Sequence, residues 1–412
     1  MTIEIGGQHA PHPWFTAKDD QLMVAGRTVS EIAMQVGRTP FYAYDRSVMT
    51  RKVELLRHTL PKGIHLHYAM KANPMPAVVK HMASLTDGLD VASAGEMQVA
   101  LDAGTNPATI SMAGPGKSDA ELMRAAAAGI TINVESEREL RVLTNIATQT
   151  GRRPRLAIRV NPDFELKNSG MKMSGGPKQF GIDAERVPEV LQSLASMPLE
   201  FCGFHIFCGS QNLRADSIVE AHQKSIALAI ELAKHAPSPV RLLNIGGGFG
   251  FPHYPGEQLL DLAPIAENLA RLQPQVAKQF PEAELVLELG RYFVGESGIY
   301  VCRVVDRKIS RGQVFLVTDG GLHHHLSASG NFGQVIRKNY PVIIGNKVRG
   351  KEREIASVVG PLCTPLDLLA DRMDLARAEE GDLVVVLQSG AYGYTASPHG
   401  FLSHPAPVEI LL

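Results

Sequence analysis

The sequence is poor in cysteine, balanced in charge and without long apolar runs. Its four cysteines are Cys202, Cys208, Cys302 and Cys363. None sits in a CxxC pair or at a Cys/His ligand spacing, so a zinc ribbon is not expected and reduced thiols are. Lysine plus arginine number 41 and aspartate plus glutamate 42, a net charge of −1. That balance argues against a nucleic-acid coat and against a polybasic membrane binder. No stretch approaches the roughly 18 uncharged apolar residues of a membrane span. The start, MTIEIGGQHAPHP, has no basic residue followed by an apolar run, so no signal peptide is expected and the cytoplasm is. There is no solenoid repeat and no low-complexity linker. What remains is ordinary globular composition, 44% hydrophobic and 20% charged, in a chain of 412 residues. Two or three domains follow from that length.

From about residue 60 to 290, short apolar runs alternate with helical patterns. The runs are Ile64–Met70, Leu89–Ala92, Thr109–Ala113, Ile130–Val134, Leu156–Val160, Phe201–Cys208, Leu242–Ile245 and Leu285–Leu289. Near-continuous apolar strands suit a buried parallel sheet. Glu96–Ala103, Asp119–Ala128 and Ser217–His235 carry apolar residues at helical spacing. Ser118 with Glu121, and Ser136 with Glu139, read as capping boxes. Eight strand–helix units of this length favour a (β/α)8 barrel over an open doubly wound sheet.

After about residue 295 the pattern becomes β-rich, with Ile299–Ile309, Gln313–Thr318, Val342–Ile344, Ile355–Val359 and Leu383–Leu387 as strands. Only Pro365–Arg377 is expected to be helical there. The N-terminal part offers a helix over Val29–Val36 and a strand over Phe41–Tyr44. The expected organisation is an N-terminal segment over 1–45 packing with the β-domain, a barrel over 46–292, and a C-terminal β-sandwich or β-barrel domain over 293–412.

Barrel active sites sit where strands end. The first strand ends in Tyr68-Ala-Met-Lys71-Ala-Asn73. A half-buried lysine there is a candidate Schiff-base nucleophile; taken alone, a snorkelling surface lysine is the commoner case. The second ends in Asp90-Val-Ala-Ser93. The sixth ends in His205-Ile-Phe207-Cys-Gly-Ser210-Gln, where the Phe207 ring could stack on an aromatic cofactor or simply fill core. The seventh ends in Gly246-Gly247-Gly248-Phe-Gly250, which lets backbone N–H groups approach a phosphate or merely turns the chain. The eighth ends in Glu288-Leu-Gly-Arg291, either a surface pair or an acid for a ring nitrogen and a guanidinium for a phosphate. Amine, aromatic face, phosphate cradle and carboxylate together are the set that pyridoxal 5'-phosphate requires.

From about Pro40 to the C-terminus the sequence resembles the fold-type III pyridoxal-phosphate decarboxylases, the group of ornithine, arginine and diaminopimelate decarboxylases. The resemblance rests on Tyr68-Ala-Met-Lys71-Ala-Asn73, Asp90-Val-Ala-Ser93, Cys208-Gly-Ser210-Gln, Gly246-Gly-Gly-Phe, Glu288-Leu-Gly-Arg291, Gly360-Pro-Leu-Cys363 and Ser389-Gly-Ala-Tyr392. It implies an alanine-racemase-like barrel with Lys71 carrying the cofactor and Glu288 facing its pyridine nitrogen. Ser210, Gly247, Gly248, Arg291 and Tyr392 would hold the phosphate, with Asp90, Ser93, His205 and Phe207 also around the cofactor. It implies homodimers with shared active sites, Cys363 coming from the partner subunit as a proton donor. Asp319, His323, Tyr340 and Thr364 are the candidate substrate contacts.

The departures concern the substrate. Family members usually stack a histidine on the ring where this chain has Phe207. Enzymes acting on basic amino acids carry an acid where this chain has Thr364, and a neutral threonine cannot pair a buried ammonium. Two segments, Gly170-Met-Lys-Met-Ser-Gly-Gly-Pro-Lys-Gln-Phe180-Gly and Asp319-Gly-Gly-Leu-His323-His-His325-Leu-Ser-Ala-Ser-Gly-Asn331-Phe, are similar to the exosortase-system-associated pyridoxal-dependent decarboxylases of exopolysaccharide loci, and to decarboxylases of carrier-tethered amino acids. The three consecutive histidines point in alternating directions, so a metal site is not expected. The expected reaction is α-decarboxylation of an amino acid or a carrier-tethered derivative. The alternatives are diaminopimelate decarboxylation, a racemase on the same barrel, and a non-catalytic homologue.

Overall fold

The computed structural model describes residues 2–3, 8–10, 12–165, 171–332 and 338–412. Gly170, which opens one distinctive segment, lies outside them. The chain divides into two compact units: Met1–Arg51 with Pro252–Gln258 and Phe293–Leu412, and Lys52–Phe251 with Leu259–Tyr292.

The second unit is a closed parallel barrel. Its strands are Ile64–Ala69, Gly88–Val91, Ile110–Met112, Thr131–Val134, Arg155–Asn161, Glu200–His205, Leu242–Asn244 and Glu284–Leu289. All eight lie where the apolar runs place them. The eighth pairs with the first (Leu285 with Ile64), which closes the barrel. Three of the helices between begin on serine caps encoded in the sequence. Ser93 accepts the Glu96 amide at the start of Ala94–Asp102. Ser118 and Glu121 form the expected reciprocal box before Asp119–Ala128, and Gly129 ends that helix at φ 77°. The second expected box is only half made. Ser136 accepts the Glu139 amide, but the Glu139 carboxylate accepts the Glu135 amide at 2.9 Å and pairs with Lys117 at 3.1 Å. A buried ammonium outcompetes an N-cap amide for that carboxylate.

Inward positions of such barrels are dominated by branched apolar residues. Here each strand also contributes a buried polar side chain: His67, Asp90, Ser111, Asn133, Arg159, His205, Asn244 and Glu288. Hydrogen bonds run between neighbours in this layer, from Asn133 through Ser111 to Asp90 and His67, and from His205 and Asn244 to Glu288.

The first unit is built on the 13-residue strand Gly298–Ser310, which pairs with Phe41–Tyr44, Gln313–Thr318 and Leu383–Val386. Val408–Leu411 runs parallel to Phe41–Tyr44. An N-terminal antiparallel sheet including His12–Lys18, Gln21–Val24 and Arg27–Thr28 precedes helix Val29–Val36, capped by a Thr28/Glu31 box. Its core joins Phe15, Leu22 and Ile32 to Phe41, Ile299 and Val385.

The expected helix over Pro365–Arg377 is a strand. Leu368–Ala376 pairs antiparallel with Arg353–Val359, with a register shift where Arg372 takes φ 45°. Its leucines, alanines and methionine favour helices, but pairing buries Leu369, Ala370, Met373, Leu375 and Ala376 in the sheet. Tertiary pairing overrides a propensity difference of a few tenths of a kcal/mol per residue, about 0.7 at most for such residues.

Candidate active site

The site is assembled at the carboxyl ends of the barrel strands. Lys71 lies on the 3-10 turn Met70–Ala72 that follows the first strand. The turn is fixed by Tyr68, whose buried hydroxyl donates to the Asn73 carbonyl at 2.8 Å. Lys71 Nζ stands 3.8 Å from Glu288 Oε1 and 5.4 Å from the centre of the Phe207 ring, with its side chain 40% exposed. Lys71, Phe207 and Glu288 are thus brought together from three strand ends.

Glu288 is buried on the eighth strand. His205 Nε2 approaches its Oε2 at 2.9 Å and Asn244 Nδ2 donates to the same oxygen at 3.3 Å. Burial works against the charge. The hydrogen bond and charge of His205, with Lys71 and Arg159, outweigh it and hold the carboxyl below the ordinary carboxylate range. Phe207 lies above His205, their ring centres 6.3 Å apart.

The glycine loop follows the seventh strand. Gly246 takes φ 68° and Gly248 φ 81°, and Asn244 Oδ1 accepts the Gly246 amide at 2.8 Å. A Cβ on Gly247 would meet Leu289 Cδ2 at 2.3 Å and the Glu288 carbonyl at 2.8 Å. Asn212 donates its amide to the Gly248 carbonyl at 2.9 Å, linking this loop to the Ser210 segment. The Gly209–Ser210 strand pairs antiparallel with Met171–Lys172. Arg291 begins a short helix after the eighth strand and is half-buried.

Two barrel candidates have structural partners. Ser93 caps a helix. Asp90 Oδ1 accepts the Ser111 hydroxyl at 2.5 Å and faces His67 Nδ1 at 3.3 Å. A further cluster was not foreseen. Arg159 bonds Glu135 at 2.7 Å and lies 5.0 Å from the Phe180 ring, while Glu135 also accepts the Gly114 and Gly181 amides. Glu135 follows strand four, so the strand-end rule that found Lys71 applied equally to it; Arg159 lies inside strand five, two residues before its end.

The remaining candidates lie in the first unit. Cys363 is an exposed free thiol, and Thr364 Oγ1 accepts the Leu366 amide at 3.3 Å. Asp367, not singled out from sequence, accepts the Leu322 amide at 2.6 Å and the Leu362 amide at 2.8 Å, joining the His323 and Cys363 loops. Asp319 accepts the Arg303 amide at 2.8 Å and the Thr39 hydroxyl. His323 is buried, and burial pushes it down to about 4. Its neighbour His324 bonds the Pro405 carbonyl at 2.9 Å, and His325 bonds Ser389 Oγ at 2.9 Å. Tyr340 packs between His253 and His325. Tyr392 takes φ 53° and its carbonyl accepts the Ser327 hydroxyl. Among the described residues no group of histidine, cysteine and acidic side chains could hold a metal ion, and no helix is long and apolar enough to cross a membrane.

The barrel residues fit pyridoxal phosphate. The set contains an amine for the aldehyde, a buried ionised carboxylate for the ring nitrogen and an aromatic face. It also has a glycine loop closed to any Cβ at Gly247. When bound, that cofactor supplies an electron sink for the pair left behind as carbon dioxide departs.

Residues 46–295 match the family model of the pyridoxal-dependent decarboxylase, pyridoxal binding domain. The L-glutamyl-[BtrI acyl-carrier protein] decarboxylase of Niallia circulans is 37% identical over 90% of this chain and 88% of its own. The diaminopimelate decarboxylase of Aquifex aeolicus is 32% identical over 97% of this chain and 93% of its own. The crystal structure of diaminopimelate decarboxylase from Helicobacter pylori complexed with L-lysine superposes with a TM-score of 0.81 at 28% identity, covering 93% of this chain and 94% of that one. With Lys71, Phe207 and Glu288 gathered at the mouth of a closed barrel, the chain belongs to the pyridoxal-phosphate-dependent decarboxylases of fold type III.

Proposed function

We propose that this enzyme removes the α-carboxylate of an amino acid tethered through an acyl link to a carrier protein. The observation that carries the proposal is the 37% identity to a decarboxylase of an L-glutamyl carrier protein. Thr364 supports it. A substrate with a free distal ammonium needs a buried counter-charge, whereas an acylated one needs none.

The residues divide the work as follows. Lys71 would hold the cofactor through its aldehyde carbon. Glu288 would keep a proton on the ring nitrogen, with His205 and Asn244 both holding its Oε2. Phe207 offers a face without a transferable proton. Ser210, Gly247, Gly248, Arg291 and Tyr392 would take the phosphate, and Asp90 and Ser93 would lie around the cofactor. Cys363 delivers a proton to the α-carbon, so that the substrate loses carbon dioxide and gains that proton. Asp319, His323, Tyr340 and Thr364 bound the substrate. The working form is a homodimer with Cys363 supplied across the interface, in the cytoplasm and in exopolysaccharide synthesis.

The test is carbon dioxide release from the cofactor-loaded protein. The substrates are meso-diaminopimelate, lysine, ornithine, arginine, free acidic amino acids, and aminoacyl carrier proteins. Release from a glutamyl carrier alone supports the proposal. Release from free diaminopimelate at comparable kcat/KM overturns it in favour of the second reading, which the Aquifex aeolicus relative favours.

A further inference from the structure

The polar layer inside the barrel contains a histidine that the reaction as described does not use. His67 lies on the first strand, in register with Glu288 on the eighth. It is 6% exposed. Its Nδ1 stands 3.3 Å from Asp90 Oδ1, on the strand to its other side. Asp90 is itself held by Ser111 at 2.5 Å, and Ser111 by Asn133 at 3.1 Å. The second Asp90 oxygen is buried with no hydrogen-bond partner among the described residues, so its charge has His67 as the neighbour to satisfy.

Space for the ring is built into the backbone. A Cβ at Gly88 would lie 2.5 Å from His67 Nε2 and 2.4 Å from the Thr109 carbonyl. A glycine inside a strand weakens it and commonly marks a close approach. Here Gly88 opens the second strand, and the approach is that of the imidazole and of the Thr109 carbonyl together. The ring also lines a cavity of about 320 Å³ at the amino ends of the strands, together with Ser111, Thr131, Arg155, Arg241 and Glu282. That cavity lies on the side of His67 away from Lys71.

We propose that His67 is a positioning residue for Glu288, a cationic imidazole that keeps the carboxylate ionised once the Lys71 amine is bonded to the cofactor. The inference rests on the role proposed for Glu288. In the structure Lys71 supplies a positive charge 3.8 Å from Glu288 Oε1. A lysine engaged with the cofactor no longer supplies that ammonium to Glu288. His205 and Arg159 then remain around the carboxylate, and His67 adds a further cation in register with it, balanced by Asp90 on the opposite side. The charged groups around His67 are Asp90 and Asp87 around the second strand, Glu288 on the eighth and, lining the same cavity, Arg155, Arg241, Glu282 and Glu284. Burial disfavours the charged ring, and the Asp90 charge and hydrogen bond, then Glu288 and Asp87, reverse this and raise it. Without the cation, the proton shared between Glu288 and the ring nitrogen moves toward the carboxylate and the sink weakens.

The experiment uses the cofactor-loaded enzyme and follows the visible spectrum of the bound cofactor against pH, alongside kcat and KM. His67→Gln removes the charge and keeps a polar group. It should raise the apparent pKa of the spectral transition by about one unit and lower kcat about tenfold, with KM changed less than about twofold. His67→Lys, which restores a charge, should return most of the shift. A His67→Gln titration that superposes on the parent's, while Glu288→Gln displaces it, overturns the inference. So does a variant that is merely less stable with an unchanged titration. If Glu288→Gln also leaves the titration in place, the role of Glu288 fails instead.

Discussion

His205 Nε2 and Glu288 Oε2 lie 2.9 Å apart on strands six and eight, with Asn244 on strand seven bonding the same oxygen. The pair is almost fully buried, with side chains 2% and 4% exposed. Removing one partner of such a pair leaves a charge without compensation, which costs about 3–5 kcal/mol. His205→Ala should therefore destabilise the barrel by that order in urea unfolding. His205→Gln keeps a donor and should recover more than half of the loss. Equal stability of all three proteins would show that Glu288 does not depend on His205.

Lys71→Ala removes the amine that the cofactor requires. The purified variant should lack the visible absorption of lysine-bound pyridoxal phosphate and show no turnover above background. Appreciable decarboxylation by this variant would contradict the role of Lys71.

Gly247→Ala tests the phosphate cradle. The new methyl would press on the Glu288 carbonyl, which is backbone and cannot step aside. Cofactor affinity should fall at least about tenfold, equivalent to 1.4 kcal/mol, with kcat at saturating cofactor reduced less. Equilibrium dialysis against pyridoxal phosphate measures it.

Thr364→Asp would place an anion at a position proposed to bound the substrate. Activity on free ornithine or lysine should rise about tenfold or more, and activity on an acyl-linked substrate should fall, because the new carboxylate is left unpaired there. Kinetics on both substrate classes decide it.

Acid should weaken the fold through buried neutral histidines. His222, on helix Ala215–Ala233, is fully enclosed, and burial lowers it from 6.5 to about 4. The unfolded chain binds this proton first. The contribution is thus complete above about pH 6.5 and is lost as pH falls toward 4, at about 1.4 kcal/mol per unit. Unfolding free energy measured across this window should decline by about 3 kcal/mol for His222. His222→Leu should flatten that part of the slope.

The barrel was legible because its strands are buried on both faces and read as apolar runs between helical patterns. Lys71, Phe207 and Glu288 were legible because each closes such a run. His67, Ser111, Asn133 and Asn244 were not, because one polar residue inside an apolar strand has the same local appearance whether it faces lumen or helix. Their meaning lies in cross-strand neighbours such as Asp90, more than twenty residues away from His67. Leu368–Ala376 reads as a helix for a related reason: its strand character comes from Arg353–Val359 and not from its own sequence. Asp367 escaped notice because its two partners are backbone amides.

The chain leaves the barrel unit after Phe251, returns at Leu259 and leaves again after Tyr292. Helix Ala263–Gln279 and the closing strand Glu284–Leu289 come only after that excursion. A gene fragment stopped at residue 251 would therefore encode seven strands with both edges open. One stopped at 292 would carry residues 252–258 without the unit to which they belong. Neither unit is a cassette that can be excised at one cut and moved to another protein. Recombination within this gene would have to respect all four crossings, between 51 and 52, 251 and 252, 258 and 259, and 292 and 293.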